Sequence, residues 1–281
     1  MEFTEHSFKN AHGHTLFFND WGNKDANPIV CVHGLTGNGS DFDFLAEDLV
    51  QHGHRIIAVD MPGRGRSDFH DDPQLYNYDQ YDEDLKGLLS HLNLSSVDWL
   101  GVSLGGLLGI RLAGEPNTPI KRMIINDVGP IVPQEALDFI HMVISKEYSF
   151  ADMAEFEERL RASRGLTWGP MEDHHWAHMA KHNARPLPDG RLTYAYDPQI
   201  AQVFETSPIG DVDLWDKWDA INCPVKLIQG AQSLLLTNSI IEDMRGRGPN
   251  FTLTVFEGCG HVPSLAADDQ IESIREWLNA A

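Results

Sequence analysis

The 281-residue sequence contains few cysteines, a low proportion of basic residues and no long apolar run. Its cysteines, Cys31, Cys223 and Cys259, are too few for a disulfide framework and odd in number, so we expect reduced thiols in a cytoplasmic protein. Lysine and arginine total 21 against 42 aspartate and glutamate residues, and the formal net charge of -21 disfavours nucleic acid and anionic membranes as partners. No stretch is long enough to span a bilayer, and the first residues lack the basic and then apolar pattern of a signal peptide. These absences predict a globular protein without a membrane or nucleic-acid partner.

Apolar strands alternate with helices over most of the sequence. The predicted strands cover residues 3–8, 14–20, 28–33, 55–60, 121–126, 224–229 and 251–256, together with a strand that leads to Ser103. The predicted helices cover residues 40–51, which Ser40 would cap, 79–92, 238–247 and 264–279, together with a helix that follows Ser103. Between residues 131 and 218 the alternation stops, and the sequence becomes helical and rich in tryptophan, methionine and histidine. This order predicts an α/β fold whose mostly parallel, doubly wound sheet belongs to a core domain of residues 1–130 and 219–281, with an inserted helical cap at 131–218.

The central motif is Gly101-x-Ser103-x-Gly105, which lies between an apolar strand and a helical pattern. Two glycines leave room for a tight turn that would hold the Ser103 hydroxyl above the edge of the sheet. The backbone N–H of Leu104 and the start of the next helix would face the same space and favour a developing negative charge. This strand, turn and helix context indicates a nucleophilic serine.

Four further features stand around this motif in a fixed order. They are the His33-Gly34 loop after a buried strand, the loop at residues 60–67, the long insertion, and Gly258-Cys259-Gly260-His261 near the end. In an open parallel sheet the carboxyl ends of the strands form the ligand-binding edge, and His33, Asp60 and Ser103 all fall there. With these motifs the chain resembles the α/β-hydrolase family over nearly its whole length outside the cap.

The resemblance implies roles for four of these residues. Ser103 would be the nucleophile, and His261 would be the general base that takes its proton. The backbone N–H groups of Leu104 and Leu35 would form the oxyanion hole. Metals and cofactors are not implied, and the partner would be a small-molecule ester bound by a monomer or homodimer.

The third catalytic residue is where the sequence departs from the family pattern, because Leu234 occupies the position at which the family commonly has an aspartate. Three explanations remain open. Asp127, at the end of the preceding strand, could supply the carboxylate; Leu234 could mark an impaired enzyme; or Glu242 or Asp243 could reach in from the next helix. We adopt Asp127 as the predicted acid.

Three histidines of the insertion, and His33, are interpreted without a catalytic role. His174, His178 and His182 recur every four residues and would share one helix face, which is a spacing found in metal sites. No carboxylate stands near them in the sequence in an obvious ligand role, so we predict no functional metal. We expect the His33 ring to shape its loop through hydrogen bonds to the backbone.

The function predicted from these residues is hydrolysis of small to medium carboxylic esters through an acyl-enzyme. Apolar residues of the insertion favour an apolar substrate group; they are Phe139, Ile140, Met142, Val143, Trp168 and Trp176. Alternatives on the same three residues are hydrolysis of carbon–carbon bonds, lactones or amides, and peracid formation. A catalytically silent small-molecule binder is the alternative from another class, and Leu234 is the feature that favours it.

Overall fold

The computed structural model describes residues 3–206 and 211–280. Twelve strands are found in this part of the chain. They are β1 (Thr4–Lys9), β2 (Thr15–Trp21), β3 (Pro28–Val32), β4 (Arg55–Val59), β5 (Val97–Val102), β6 (Ile120–Asn126), β7 (Ile131–Val132), β8 (Ala184–Pro186), β9 (Leu192–Tyr194), β10 (Val212–Asp213), β11 (Val225–Gly230) and β12 (Phe251–Phe256).

The helices stand mostly between these strands. They are α1 (Asp43–Gln51), α2 (Tyr78–His91), α3 (Leu104–Ala113), α4 (Gln134–Ile144), α5 (Met153–Trp168), α6 (Asp173–Asn183), α7 (Gln202–Thr206), α8 (Trp215–Asp219), α9 (Asn238–Arg245) and α10 (Asp268–Ala280). Short 3-10 helices cover Gly39–Phe42, Pro73–Leu75 and Pro198–Ala201. Within the described ranges, none of the helices has the length and apolarity needed to cross a membrane.

Eight strands form one sheet in the order β1-β2-β4-β3-β5-β6-β11-β12. The pairs β1–β2 and β2–β4 are antiparallel, and the other pairs are parallel, which confirms the predicted α/β fold class. Both faces of the sheet are covered, because alternate residues of β3 enter different cores. Val30 and Val32 belong to the core on one face. Ile29 and Cys31 belong to the core on the other.

The segment from 131 to 218 contains helices α4 to α8 and two small antiparallel pairs, β8 with β9 and β7 with β10. A separate apolar cluster holds part of it together and includes Phe150, Phe156 and Trp176. The segment is therefore helical with two added strand pairs. Residues 207–210 of the predicted cap lie outside the described residues, and the domain boundaries remain a prediction.

Two predicted helix starts are wrong. Ser40 does not cap a helix, because it lies inside the 3-10 helix Gly39–Phe42 that precedes α1. Asn38 is the cap: its side chain accepts a hydrogen bond from the Ser40 N–H, and Asp41 accepts one from the Asn38 N–H. This reciprocal pair satisfies backbone donors at the start of the turn. The last helix likewise begins at Asp268, four residues after the predicted start.

Candidate active site

Ser103 lies at a sharp turn between β5 and α3. Its backbone has φ 49 and ψ -110, and its N–H donates to the carbonyl of Asn126 at 3.0 Å. Glycine is required on both sides of the turn. A Cβ at Gly101 would stand 2.2 Å from the carbonyl oxygen of Gly105, and a Cβ at Gly105 would stand 2.0 Å from that of Val32. The close packing of α3 on the sheet therefore holds the serine in this unusual conformation.

His261 joins Ser103 to Asp127. The Ser103 Oγ is 2.9 Å from His261 Nε2, and His261 Nδ1 is 2.8 Å from Asp127 Oδ2. An ionised carboxylate can only accept, so the geometry assigns the ring proton to Nδ1 and leaves Nε2 free to accept from the serine hydroxyl. The second oxygen of Asp127 accepts the N–H of Gly230 at 2.8 Å, and the residue is completely buried. The carboxylate is thus oriented from two sides.

Of the candidate acids, the structure brings Asp127 to the histidine and none of the others. Leu234 is 87% exposed, so its side chain is directed to solvent. Glu242 and Asp243 are exposed on α9. Asp127 directly follows β6, and β6 lies next to β5 in the sheet, so its carboxylate stands at the same sheet edge as Ser103.

The two predicted oxyanion donors lie on either side of Ser103. Leu104 is the first residue of α3, where an N–H has no partner within the helix. The loop that contains Leu35 passes close to the serine, since a Cβ at Gly34 would stand 3.7 Å from that of Ser103. Neither N–H donates to an acceptor within the described part of the chain. Both donors are therefore available to a ligand.

Buried polar contacts hold the Leu35 loop in place. The His33 ring donates from Nδ1 to the Gly34 carbonyl at 2.7 Å and accepts the Met61 N–H at Nε2, at 3.0 Å, which confirms its predicted loop-shaping role. Burial lowers the pKa of His33 to about 4, so the ring is neutral and can serve as donor and acceptor at once. On the other side, buried Arg64 donates from Nε to the Leu35 carbonyl at 2.8 Å.

Sequence reasoning missed the roles of Arg64 and Asn126. Arg64 lies in the loop at residues 60–67, and the N–H of its neighbour Gly65 donates to the Ala195 carbonyl at 3.0 Å, so this turn packs beneath the 131–218 segment. Asn126 donates from its side chain to the Pro263 carbonyl at 2.8 Å and ties the histidine loop to β6. A polar residue at the end of an apolar strand was the available signal for Asn126.

The residues predicted to contribute an apolar pocket are scattered. Phe139 and Met142 are 62% and 53% exposed on α4. Trp176 is buried in the cluster inside the 131–218 segment. Trp168 does lie beside the histidine loop, because its carbonyl accepts the Ser264 N–H at 3.1 Å.

Comparison with known proteins shows similarity to hydrolases in sequence and in fold. Residues 27–268 match the alpha/beta hydrolase fold family. A 3-hydroxybutyrate-oligomer hydrolase of Cupriavidus necator is 33% identical over 280 residues, which cover 95% of this chain and 94% of that protein. An esterase of Mycobacterium tuberculosis is 26% identical over 268 residues, covering 92% and 85%. The crystal structure of an alpha/beta hydrolase from Novosphingobium aromaticivorans superposes with a TM-score of 0.87 and 30% identity, covering 100% of this chain and 99% of that one.

Proposed function

The chain belongs to the α/β-hydrolase fold family, and from this premise we propose that it is a serine hydrolase of carboxylic esters. The observation that carries the proposal is the continuous hydrogen-bonded series from Ser103 Oγ through His261 to the buried Asp127 carboxylate. A hydroxyl is a weak nucleophile at neutral pH, and an imidazole held by a carboxylate is a base suited to activate it.

The reaction would proceed in two halves. Ser103 Oγ attacks the ester carbonyl carbon while His261 Nε2 takes the hydroxyl proton, and Asp127 stabilises the imidazolium. The N–H groups of Leu35 and Leu104 donate to the oxyanion. Collapse of the intermediate expels the alcohol, which receives the proton from His261 and leaves an acyl-serine. Water, deprotonated by His261, then attacks the acyl carbonyl, and the carboxylic acid departs as Ser103 regains its proton.

The contact between Asp127 and His261 supports an active enzyme over a silent binder. The binder hypothesis rested on Leu234, which would deprive the histidine of a carboxylate. Since Asp127 stands 2.8 Å from His261 Nδ1, that objection does not apply to this geometry. A fluorophosphonate probe tests the proposal: we expect stoichiometric labelling of the protein and none of Ser103→Ala. A wild-type protein that resists labelling and hydrolyses no p-nitrophenyl ester would overturn it.

Within the esters, the proposal favours short hydroxy-acid oligomers that end in a free carboxylate. The relative from Cupriavidus necator is named for such substrates, and Arg164 supplies a suitable cation. Its Nη2 is 3.4 Å from the Thr36 hydroxyl, in the loop next to Leu35. Arg161 on the same helix pairs with two carboxylates, whereas Arg164 pairs with none within the described ranges. A half-buried, unpaired arginine beside the oxyanion loop suits a substrate carboxylate.

Arg164→Gln tests this preference. We expect KM for a 3-hydroxybutyrate trimer to rise about tenfold, since a hydrogen bond to a charged group contributes about 1.5 to 3 kcal/mol. KM for p-nitrophenyl butyrate, which has no carboxylate, should not change. Arg159→Gln is the matched control, because Arg159 lies on the same helix over the Tyr148 ring. Equal effects on both substrates would refute the role of Arg164 and leave the esterase proposal standing.

A further inference from the structure

A second group of chemically active side chains lies at the junction of α6 with the core. His178 and His182 are one turn apart on α6, and Asp43 begins α1. The candidate ligand atoms of these three residues all lie within 4.8 Å of one another. The sequence objection to a metal here was the lack of a nearby carboxylate, and the tertiary structure supplies one from a position more than 130 residues away.

The distance between His178 and Asp43 suits a small divalent ion. His178 Nε2 is 3.3 Å from Asp43 Oδ2 and 3.1 Å from the carbonyl oxygen of Ser40. Two ligands that each lie about 2.0 to 2.1 Å from a tetrahedral zinc ion are themselves about 3.3 Å apart. An ion could therefore take the place of the His178 Nε2 proton, with the neutral ring then carrying its proton on Nδ1.

Asp43 provides an independent observation that favours a bound cation. The residue is 7% exposed, and its buried Oδ1 has no hydrogen-bond partner among the residues that the structure describes. A buried carboxylate oxygen without a donor costs free energy, because it has lost its water. A cation bound by both Asp43 oxygens would satisfy Oδ1 as well as Oδ2.

Solvent access to this group and the charges around it also favour a bound cation. The group lines an open surface cleft of about 590 Å³, which leaves room for a water molecule to complete the coordination. Glu47 lines the same cleft and adds negative charge, while Lys181 opposes it. Glu5 also lines the cleft, but its carboxylate is paired with Arg66 at 2.7 Å. Imidazole nitrogens with a carboxylate oxygen are donors that favour zinc and similar ions over magnesium.

We propose that Asp43, His178 and His182 bind one divalent transition-metal ion, with Zn²⁺ as the best fit. The ion would clamp α6 of the 131–218 segment to α1 of the core. Hydrogen bonds already join α6 and its end to the 3-10 turn that precedes α1, since the Asn183 side chain donates to Asp41 Oδ1 at 3.1 Å and the Asn38 side chain donates to the His182 carbonyl at 3.0 Å. The ion would stabilise this same junction.

Calorimetric titration of untagged, chelator-treated protein with ZnSO₄ tests the proposal. We expect one ion per chain, and a weakening of about 10- to 100-fold or more in His182→Gln and in Asp43→Asn. Zn²⁺ should raise the Tm of the wild type and not that of His182→Gln. CoCl₂ should give the visible absorption of tetrahedral Co²⁺, and MgCl₂ should not bind.

His174→Gln is the matched control. His174 precedes His178 by one turn on α6, but its side chain is 61% exposed and it lies outside the group. Its replacement should leave zinc affinity unchanged. The proposal is overturned if the wild type shows no saturable zinc binding, if the ligand variants bind as tightly as the wild type, or if binding is lost in His174→Gln. These readouts do not depend on ester hydrolysis.

Discussion

Replacing Asp127 by asparagine removes a charge. It also changes which ring nitrogen of His261 carries the proton, because of the hydrogen bonds around residue 127. In the native protein the two carboxylate oxygens accept from Gly230 N–H and His261 Nδ1–H. An asparagine whose oxygen faces Gly230 turns its NH₂ toward His261, so Nδ1 must accept and the ring proton moves to Nε2. His261 then cannot take the Ser103 proton. The opposite orientation places the NH₂ against the Gly230 N–H, which is also a donor.

This change of tautomer sets the expected loss of kcat. Loss of the correct tautomer and of the carboxylate charge lowers kcat by about 10⁴-fold in serine hydrolases, which corresponds to about 5 kcal/mol of transition-state stabilisation. The assay is steady-state hydrolysis of p-nitrophenyl butyrate by wild-type protein and Asp127→Asn, with circular dichroism to establish that the variant is folded. KM should change little, because Asp127 is buried behind His261.

Leu234→Asp is the companion experiment. The Leu234 side chain is 87% exposed, so an aspartate there would be solvated. His261 Nδ1 already has Asp127 as its partner at 2.8 Å. We expect kcat to stay within about twofold of the wild type, in the range of an ordinary surface substitution. A large rate gain from Leu234→Asp, or nearly full activity in Asp127→Asn, would refute Asp127 as the catalytic acid.

Two further predictions concern stability. Burial lowers the pKa of His70 to about 4, and neither ring nitrogen has a hydrogen-bond partner in the described part of the chain. The folded state therefore resists the protonation that the unfolded chain accepts below about pH 6.5. His70 therefore lowers the free energy of unfolding as the pH falls. His70→Phe should raise that free energy by about 2 kcal/mol at pH 5, with little change at pH 8, as measured by urea titration. Equal effects at both pH values would contradict this prediction. Gly105→Ala should lower the free energy of unfolding by about 3 kcal/mol or more, because its Cβ would meet the Val32 backbone at 2.0 Å. Gly87→Ala is the control and should be tolerated, because its Cβ would meet only Phe8, at 3.5 Å. Similar urea midpoints for the two variants would show that the backbone around Ser103 can shift to accommodate a methyl group.

Motifs that act through local backbone geometry were readable from the sequence. The glycines around Ser103 form a motif of five consecutive residues. Gly101 is needed because a Cβ there would meet Gly105 in the same turn, and Gly105 is needed because α3 packs directly on Val32 of the neighbouring strand β3. The alternation of apolar strands and helices likewise predicted the sheet, since each element must bury its own apolar face. The start of α1 was mispredicted because Asn38 and Ser40 are both capping residues and only the loop geometry selects between them.

Contacts between distant residues were decided by the fold. The sequence left three explanations open for the third catalytic residue, with Asp127 adopted as the acid, and the fold placed Asp127 within 2.8 Å of His261 Nδ1. The same holds for Asp43, which no spacing in the sequence associates with the histidines of α6.

The sequence by itself therefore determined the fold class and the serine elbow, because these depend on local spacing and on the burial of apolar faces. The tertiary structure alone decided which carboxylate meets His261 and which one joins His178 and His182. The physical reason is that a hydrogen bond or a metal ligand requires atoms within a few ångströms, and chain packing sets that separation for residues far apart in sequence.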